Sequence, residues 1–217
     1  GNFKKFFVSL IYWINHFSDK RRIKNIFKPI SKELLKNQKD YRSIIYKNFD
    51  YKDYVYRNIF EKYKSNKGGY FKRNNTIRHF YADFYEESLK NTKINNLLEI
   101  GIEYGGSLRA WSAIFPKSNI FGADINKEYL FEEPNIKTFY TDQLNKHELN
   151  NLYNKIKDIK FDVIIDDGLH TYEANINTFE ILYPLLDKQN GTYFIEDIIF
   201  KDLKKYYSYF GGKYNIK

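Results

Sequence analysis

"LLEIGIEYGGSLRAW", residues 97–111, joins a short apolar run to a glycine-rich turn and then to a stretch with helical spacing. A strand ending at Glu99-Ile100-Gly101 and a helix opening at Gly105-Gly106-Ser107 are the two halves of a βα unit. Glycine at such a turn lets the backbone approach a ligand closely, and the free N–H groups of the first helical turn point at it. The same glycines serve a tight connection with no ligand at all, so the turn alone does not define a site.

Downstream the texture repeats. Short apolar runs at Ile120–Ala123, Ile136–Tyr140, Val163–Ile165 and Tyr193–Ile195 are separated by turns containing Gly and Asp. Segments long enough for helices lie around residues 106–115, 145–157 and 172–186. This alternation predicts βαβ units and an α/β fold, a Rossmann-like, doubly wound, mainly parallel sheet over residues 76–217. Upstream, Ile44, Tyr51, Val55, Ile59 and Tyr63 recur at helical spacing. Residues 1–75 are therefore expected to form a helical N-terminal extension, a lid or a homo-oligomer contact.

The 217 residues, 42% hydrophobic and 29% charged, suit a globular core and exclude a disordered chain. Residues 1–90 hold 21 Lys/Arg against 9 Asp/Glu, net +12, and residues 91–217 hold 15 against 18, net −3, which together make the formal +9. The basic half is read as a solvated helical face, with an anionic partner as the alternative. With 21 Tyr and 19 Phe alongside abundant Lys, Asn and Ile, the composition matches an AT-rich genome, so the lysines are not taken as a nucleic-acid signal. The absence of cysteine excludes a disulfide framework and thiolate chemistry and agrees with the reducing cytoplasm, the expected location. Phe6 to Ile14, interrupted by Ser9, is far shorter than the roughly 18 residues of a bilayer span. It reads as an amphipathic helix packed on the core, with membrane-surface contact as the lesser alternative. The chain opens on Gly1 and holds no methionine, as a sequence with its selenomethionines omitted would.

Ligands of open parallel sheets bind beyond the carboxyl ends of the strands, and those ends are polar here. Asp124 closes the second run, 23 positions after Gly101, where a carboxylate can accept hydrogen bonds from ribose hydroxyls; as a helix cap it would look the same. Asp142 and Gln143 follow the third run, near an adenine amino group or again as a cap. "DVIIDDGLHTYE", residues 162–173, ends its run in Asp166-Asp167 with His170 beyond, and "GTYFIEDI", residues 191–198, ends in Glu196-Asp197. Unpaired carboxylates are costly to bury, so two acidic pairs at neighbouring strand ends point to a charged partner. Asp167, Glu196 and Asp197 would converge as hard oxygen ligands for Mg²⁺, with His170 placed to take a proton.

As an ordered set, "LLEIGIEYGGSLRAW", "FGADI", "TDQ", "DDGLHTYE" and "YFIEDI" resemble the class I S-adenosylmethionine-dependent methyltransferases. More narrowly, residues 76–198 resemble the macrocin, mycinamicin and rhamnosyl sugar O-methyltransferases and the related cephalosporin hydroxylases. The resemblance implies that Glu99, Gly101, Gly105, Gly106 and Ser107 cradle the methionine part of S-adenosylmethionine. It implies that Asp124 holds the ribose and that Asp142 lies near the adenine with Gln143 beside it, and Asp166 is a further expected cofactor-binding residue. It implies Mg²⁺ on Asp167, Glu196 and Asp197, His170 as general base assisted by Asp167, and a cofactor or substrate contact for His79 and Tyr81 of "TIRHFYADFY". The acceptor implied is a small sugar or nucleotide-sugar, with no nucleic acid. A methyl acceptor oxygen on a phosphate-type group, and a nucleotide- or nucleic-acid-binding module without turnover, are the competing readings. One departure stands out: class I methyltransferases usually end in an antiparallel hairpin, and only Ile199 to Lys217 follow Asp197.

Overall fold

The computed structural model describes residues 5–8, 55–68, 81–211 and 215–216, with residues 5–8, 200 and 215–216 as backbone only. Two compact units partition the chain, residues 1–12 with 55–217 and residues 13–54. Every described residue belongs to the first. His79 and the helical reading of residues 9–54 lie outside the described residues.

In chain order the described elements are β1 (Lys5–Val8), α1 (Val55–Lys62), α2 (Tyr81–Leu89), β2 (Asn96–Ile100), α3 (Gly106–Ile114), β3 (Asn119–Asp124) and β4 (Glu132–Glu133). They continue with β5 (Ile136–Tyr140), α4 (Lys146–Ile156), β6 (Val163–Asp166), α5 (Tyr172–Leu182), β7 (Thr192–Ile195), α6 (Leu203–Phe210) and β8 (Asn215–Ile216). Each predicted strand and helix after residue 94 is present. Among the described residues the sheet has eight strands in the order β4-β5-β3-β2-β6-β7-β1-β8. All pairings are parallel except β4 with β5.

From β2 the chain winds outward through β3 to β5, then returns to β6 on the other side of β2 and proceeds to β7. The crevice of a doubly wound sheet opens at that reversal, between the ends of β2 and β6. Ile100 pairs with Asp166 there, and Gly101 and Asp167 leave the two strands together. Residues 5–8, expected as the start of a helix, form a strand. Its backbone pairs with β7 in the place where a hairpin strand was expected, and β8 pairs with β1 in turn.

Alternation along buried strands sends successive side chains to opposite faces. Leu97, Val163, Ile165 and Phe194 meet Phe60 of α1, Tyr81 and Tyr85 of α2, and Trp111 of α3. Leu98, Ile100, Ile164, Tyr193 and Ile195 meet Leu152 of α4, Phe179 of α5, and Tyr206 and Phe210 of α6. Trp111 is the hub of the first face: Phe60 and Tyr85 pack edge-on to it with ring centroids 4.7 and 5.0 Å away. Arg57 of α1 clasps the carboxylate of Asp83 on α2, with Nε donating to Oδ1 at 2.9 Å. At the end of α1, Lys64 adopts φ 60 and the chain turns into a single 3-10 turn, Asn66–Gly68, whose Lys67 and Gly68 are buried. No helix among the described residues is long and apolar enough to cross a membrane.

Candidate active site

The β2–α3 turn is held from three sides. Gly101 has φ 84 and Gly105, which precedes α3, has φ 75, both in the left-handed region that favours glycine. A Cβ on Gly101 would lie 2.1 Å from the carbonyl oxygen of Asp167, so the turn and the loop after β6 touch through backbone. The tight neighbours of Gly105 and Gly106 are the Phe131 ring and the Tyr63 carbonyl oxygen. Asp124 receives the turn: Oδ2 accepts from the backbone N–H of Ile102 at 2.9 Å and of Glu103 at 3.1 Å, and Oδ1 from Asn126 at 2.8 Å. A carboxylate has about four acceptor positions, so this carboxylate retains one beside its structural bonds. Ile125, next in sequence to it, and Tyr104 of the turn are exposed.

The Asp166-Asp167 pair splits between the two faces of the sheet. Asp166 points to the α4–α6 side and is fully buried. Its Oδ1 accepts from Gln143 Nε2 at 2.7 Å, and burial pushes its carboxyl above the usual range despite that bond. Gln143, expected at the adenine, is a brace instead: its Nε2 also donates to Thr178 at 2.8 Å, and its Oε1 accepts from the Leu169 N–H at 2.7 Å. Asp142 Oδ1 accepts from the Leu144 N–H at 2.9 Å in a local turn, while the cap of α4 is Asn145.

On the opposite side, three carboxylates meet one ammonium. Lys67 Nζ donates to Asp167 Oδ2 at 2.5 Å and to both oxygens of Glu196 at 2.8 Å, and it lies 3.3 Å from Glu99 Oε1. Glu99 Oε2 accepts from Trp111 Nε1 at 3.0 Å, and the Tyr85 hydroxyl donates to Glu196. Burial opposes the charge on Lys67, yet Asp167, Glu196 and Glu99 outweigh it and hold the ammonium protonated well above its ordinary range. Burial also pushes Glu99 up, against Lys67 and a hydrogen bond from Ser107. Glu99 and Ser107 are therefore part of the packed floor beneath the turn, not of its open side.

Beyond the strand ends, His170 (φ 57) and Asp197 (φ 51) both adopt left-handed backbone, which re-aims them toward Asp167. His170 Nε2 stands 3.9 Å from Asp167 Oδ1 and 3.8 Å from Asp197 Oδ2. The three side chains bring one ligand atom each within 4.8 Å of one another. The Tyr81 hydroxyl donates to Asp197, so Tyr81 belongs to this cluster. Two carboxylates fit a hard divalent cation such as Mg²⁺ or Mn²⁺, and the imidazole stands next to them as a base. Glu196, expected as the third ligand, accepts hydrogen bonds from Lys67 and Tyr85, and His170, expected as the base, stands beside the two carboxylates. Lys67 and Tyr85 were not anticipated. A lysine before a Gly-Gly pair carries no signal among so many lysines, and Tyr85 sits at ordinary core spacing.

No protein-family model matches the chain. It is 31% identical over 144 residues to the mycinamicin VI 2''-O-methyltransferase of Micromonospora griseorubida, covering 62% of this chain and 34% of that one. The demethylmacrocin O-methyltransferase of Streptomyces fradiae is 33% identical over 143 residues, again 62% and 34%. An 8-demethyl-8-alpha-L-rhamnosyl tetracenomycin-C 2'-O-methyltransferase of Streptomyces olivaceus is 30% identical over 146 residues, 63% and 37%. The chain thus spans 34 to 37% of the length of these relatives. In structure it matches the MycE methyltransferase of the mycinamycin biosynthetic pathway, solved with Mg, SAH and mycinamycin VI. That match has 28% identity and a TM-score of 0.56, over 72% of this chain and 39% of that one. In sequence and in fold, the chain resembles the sugar O-methyltransferases among the class I S-adenosylmethionine-dependent methyltransferases.

Proposed function

We propose that the protein is an S-adenosylmethionine-dependent O-methyltransferase that uses a divalent cation and acts on a hydroxyl of a sugar-bearing small molecule or glycoconjugate precursor. The observation that carries this reading is the meeting of Asp167, His170 and Asp197 beside the Gly101 turn, in a chain similar to sugar O-methyltransferases. A capsule or other surface-polysaccharide precursor, handled in the cytoplasm, is the acceptor class we favour.

The cofactor would rest on the β2–α3 turn, with Asp124 offering its remaining acceptor position to a ribose hydroxyl and Ile125 an apolar wall. When bound, it supplies a methyl group on a sulfonium, already electrophilic. The cation would be held by Asp167 Oδ1 and Asp197 Oδ2 and would make a neighbouring sugar hydroxyl more acidic. His170 then has one task, to accept the hydroxyl proton on Nε2, which requires the neutral ring with its proton on Nδ1. With the proton taken by His170, the acceptor oxygen would be free to receive the methyl group, leaving S-adenosylhomocysteine as the product. The chain's own contribution is alignment, because an in-line approach is most of what such a transfer needs.

The test is calorimetric titration of S-adenosylhomocysteine into the protein with Mg²⁺ and with EDTA, followed by methyl transfer from labelled S-adenosylmethionine to a panel of glycosides and nucleotide-sugars. Binding of the product and metal-dependent labelling of a sugar are expected. A folded protein that binds neither S-adenosylhomocysteine nor S-adenosylmethionine ends this reading.

A further inference from the structure

We infer that Arg109 is a positioning residue of the β2–α3 turn: its guanidinium, stacked on Phe131 and anchored to Glu133 of the edge strand β4, holds the Tyr104 carbonyl and keeps the turn in the shape that receives the cofactor. In the reading above this turn seats S-adenosylmethionine, and the role of Arg109 depends on that reading.

The turn is not a shape the backbone holds unaided. Three alternate residues, Gly101, Glu103 and Gly105, have φ 84, 45 and 75, all left-handed. Glycine adopts such angles freely, whereas Glu103 carries a Cβ and persists there only where its surroundings over-determine it. Asp124 Oδ2 accepts from the N–H groups of Ile102 and Glu103, and the Gly105 N–H donates to the Ile102 carbonyl oxygen at 2.7 Å. Those bonds fix the first half of the turn. The second half, Tyr104 and Gly105, is met by Arg109.

Arg109 Nη1 donates to the Tyr104 carbonyl oxygen at 3.0 Å, and Nε donates to Glu133 Oε1 at 2.7 Å. The guanidinium lies over the Phe131 ring, 4.2 Å from its centre. A Cβ on Gly105 would lie 2.3 Å from Phe131 Cε1 and 3.2 Å from Arg109 Nη1, so ring and guanidinium close directly on the glycine. Phe131 is fixed in turn: its N–H donates to Thr138 Oγ1, and the Thr138 hydroxyl donates back to its carbonyl oxygen, each at 2.6 Å. Glu133 pairs with Ile136 between β4 and β5. A planar guanidinium can stack and donate along two edges at once, which an ammonium cannot. The side chains of Arg109 and Glu133 are 34 and 38% exposed, so as an ion pair alone they would add little to stability. Their consequence is orientation, with the two-residue strand β4 as the fixed point from which the turn is held.

The experiment pairs hydrogen–deuterium exchange of the ligand-free protein with calorimetric titration of S-adenosylhomocysteine, on the full chain as wild type, Arg109→Met, Glu133→Ala and Glu133→Gln. Arg109→Met is expected to exchange faster at the amides of residues 102–106 while those of β2 and β3 keep their wild-type rates. Its affinity for S-adenosylhomocysteine is expected to fall about five- to tenfold, as when a binding-competent shape is populated only a fifth to a tenth of the time. Glu133→Ala should shift both readouts in the same direction. Glu133→Gln, whose amide oxygen can still accept from Nε, should stay within about twofold of wild type. A general loss of packing would speed exchange in β2 and β3 as well, so confinement to the turn separates positioning from a merely structural role. A folded Arg109→Met with wild-type exchange at the turn, or with affinity within about twofold of wild type, overturns the inference. If Arg109→Met does not fold, Glu133→Ala against Glu133→Gln decides by the same two readouts. A wild-type protein that binds no S-adenosylhomocysteine overturns the cofactor reading itself, a result distinct from binding that ignores Arg109.

Discussion

The side-chain amide of Gln143 donates to Asp166 Oδ1 at 2.7 Å across 23 positions of sequence. With its bonds to Thr178 and to the Leu169 N–H, it ties the end of β5 to the loop that presents Asp167 and His170. Gly168 makes room for this brace, since a Cβ there would lie 2.0 Å from Gln143 Oε1. Gln143→Met keeps the length and loses every polar bond, leaving a buried carboxylate without that donor. A loss of about 1–3 kcal/mol in urea-unfolding free energy is expected, accompanied by slower methyl transfer. Unchanged stability would mean that the amide is not holding the loop.

Gly101→Ala should be among the most damaging single-methyl changes in the chain. The new Cβ meets a backbone oxygen, which cannot rotate away, at a residue whose φ is 84. A cost of about 3 kcal/mol corresponds to a Tm lower by roughly 6–12 °C for a chain of this size. Thermal unfolding followed by circular dichroism reads it directly.

His170→Asn separates catalysis from architecture. Asparagine tolerates left-handed backbone better than most residues, so the strained position at φ 57 survives the change. Turnover is expected to fall by about 10²–10⁴-fold, the usual contribution of a positioned general base, while S-adenosylhomocysteine binding and Tm stay near wild type. Equal losses in binding and turnover would assign His170 to ligand contact instead.

The anchorage of α1, which carries the chain toward Lys67, should weaken at alkaline pH. The Tyr56 hydroxyl is pushed up to about 12 by burial and then by the charge of Glu86. A raised folded value favours the neutral phenol, so its contribution is complete below the ordinary value near 10. That contribution is lost as pH climbs from about 10 through about 12. Denaturation measured across this window should show a steeper alkaline decline for wild type than for Tyr56→Phe; coincident curves would remove Tyr56 from the account.

Much of this was readable beforehand because the readable parts are local. Runs such as Leu97–Ile100 and Val163–Ile165 are too short and too apolar for surface helices, and glycine or aspartate closes each one, so β2, β3, β5, β6 and β7 appeared where the pattern put them. The turn at Gly101 and the convergence of Asp167, His170 and Asp197 followed from the rule that parallel strands deliver their carboxyl ends to one crevice. Period-two alternation also implied that neighbours such as Asp166 and Asp167 would part company, a consequence easily overlooked when acidic pairs are read as units.

What the amino-acid order determined by itself is therefore the sheet, its direction of winding and the edge at which polar residues gather, since each depends on residues close in sequence. Only the tertiary structure decided which carboxylate does what. Glu196 lies 129 positions from Lys67 and Asp167 lies 100, and neither distance leaves any trace in local spacing. The partner of a buried charge is chosen by which side chains the packed faces bring within about 3 Å, and that choice is made across the fold rather than along the chain.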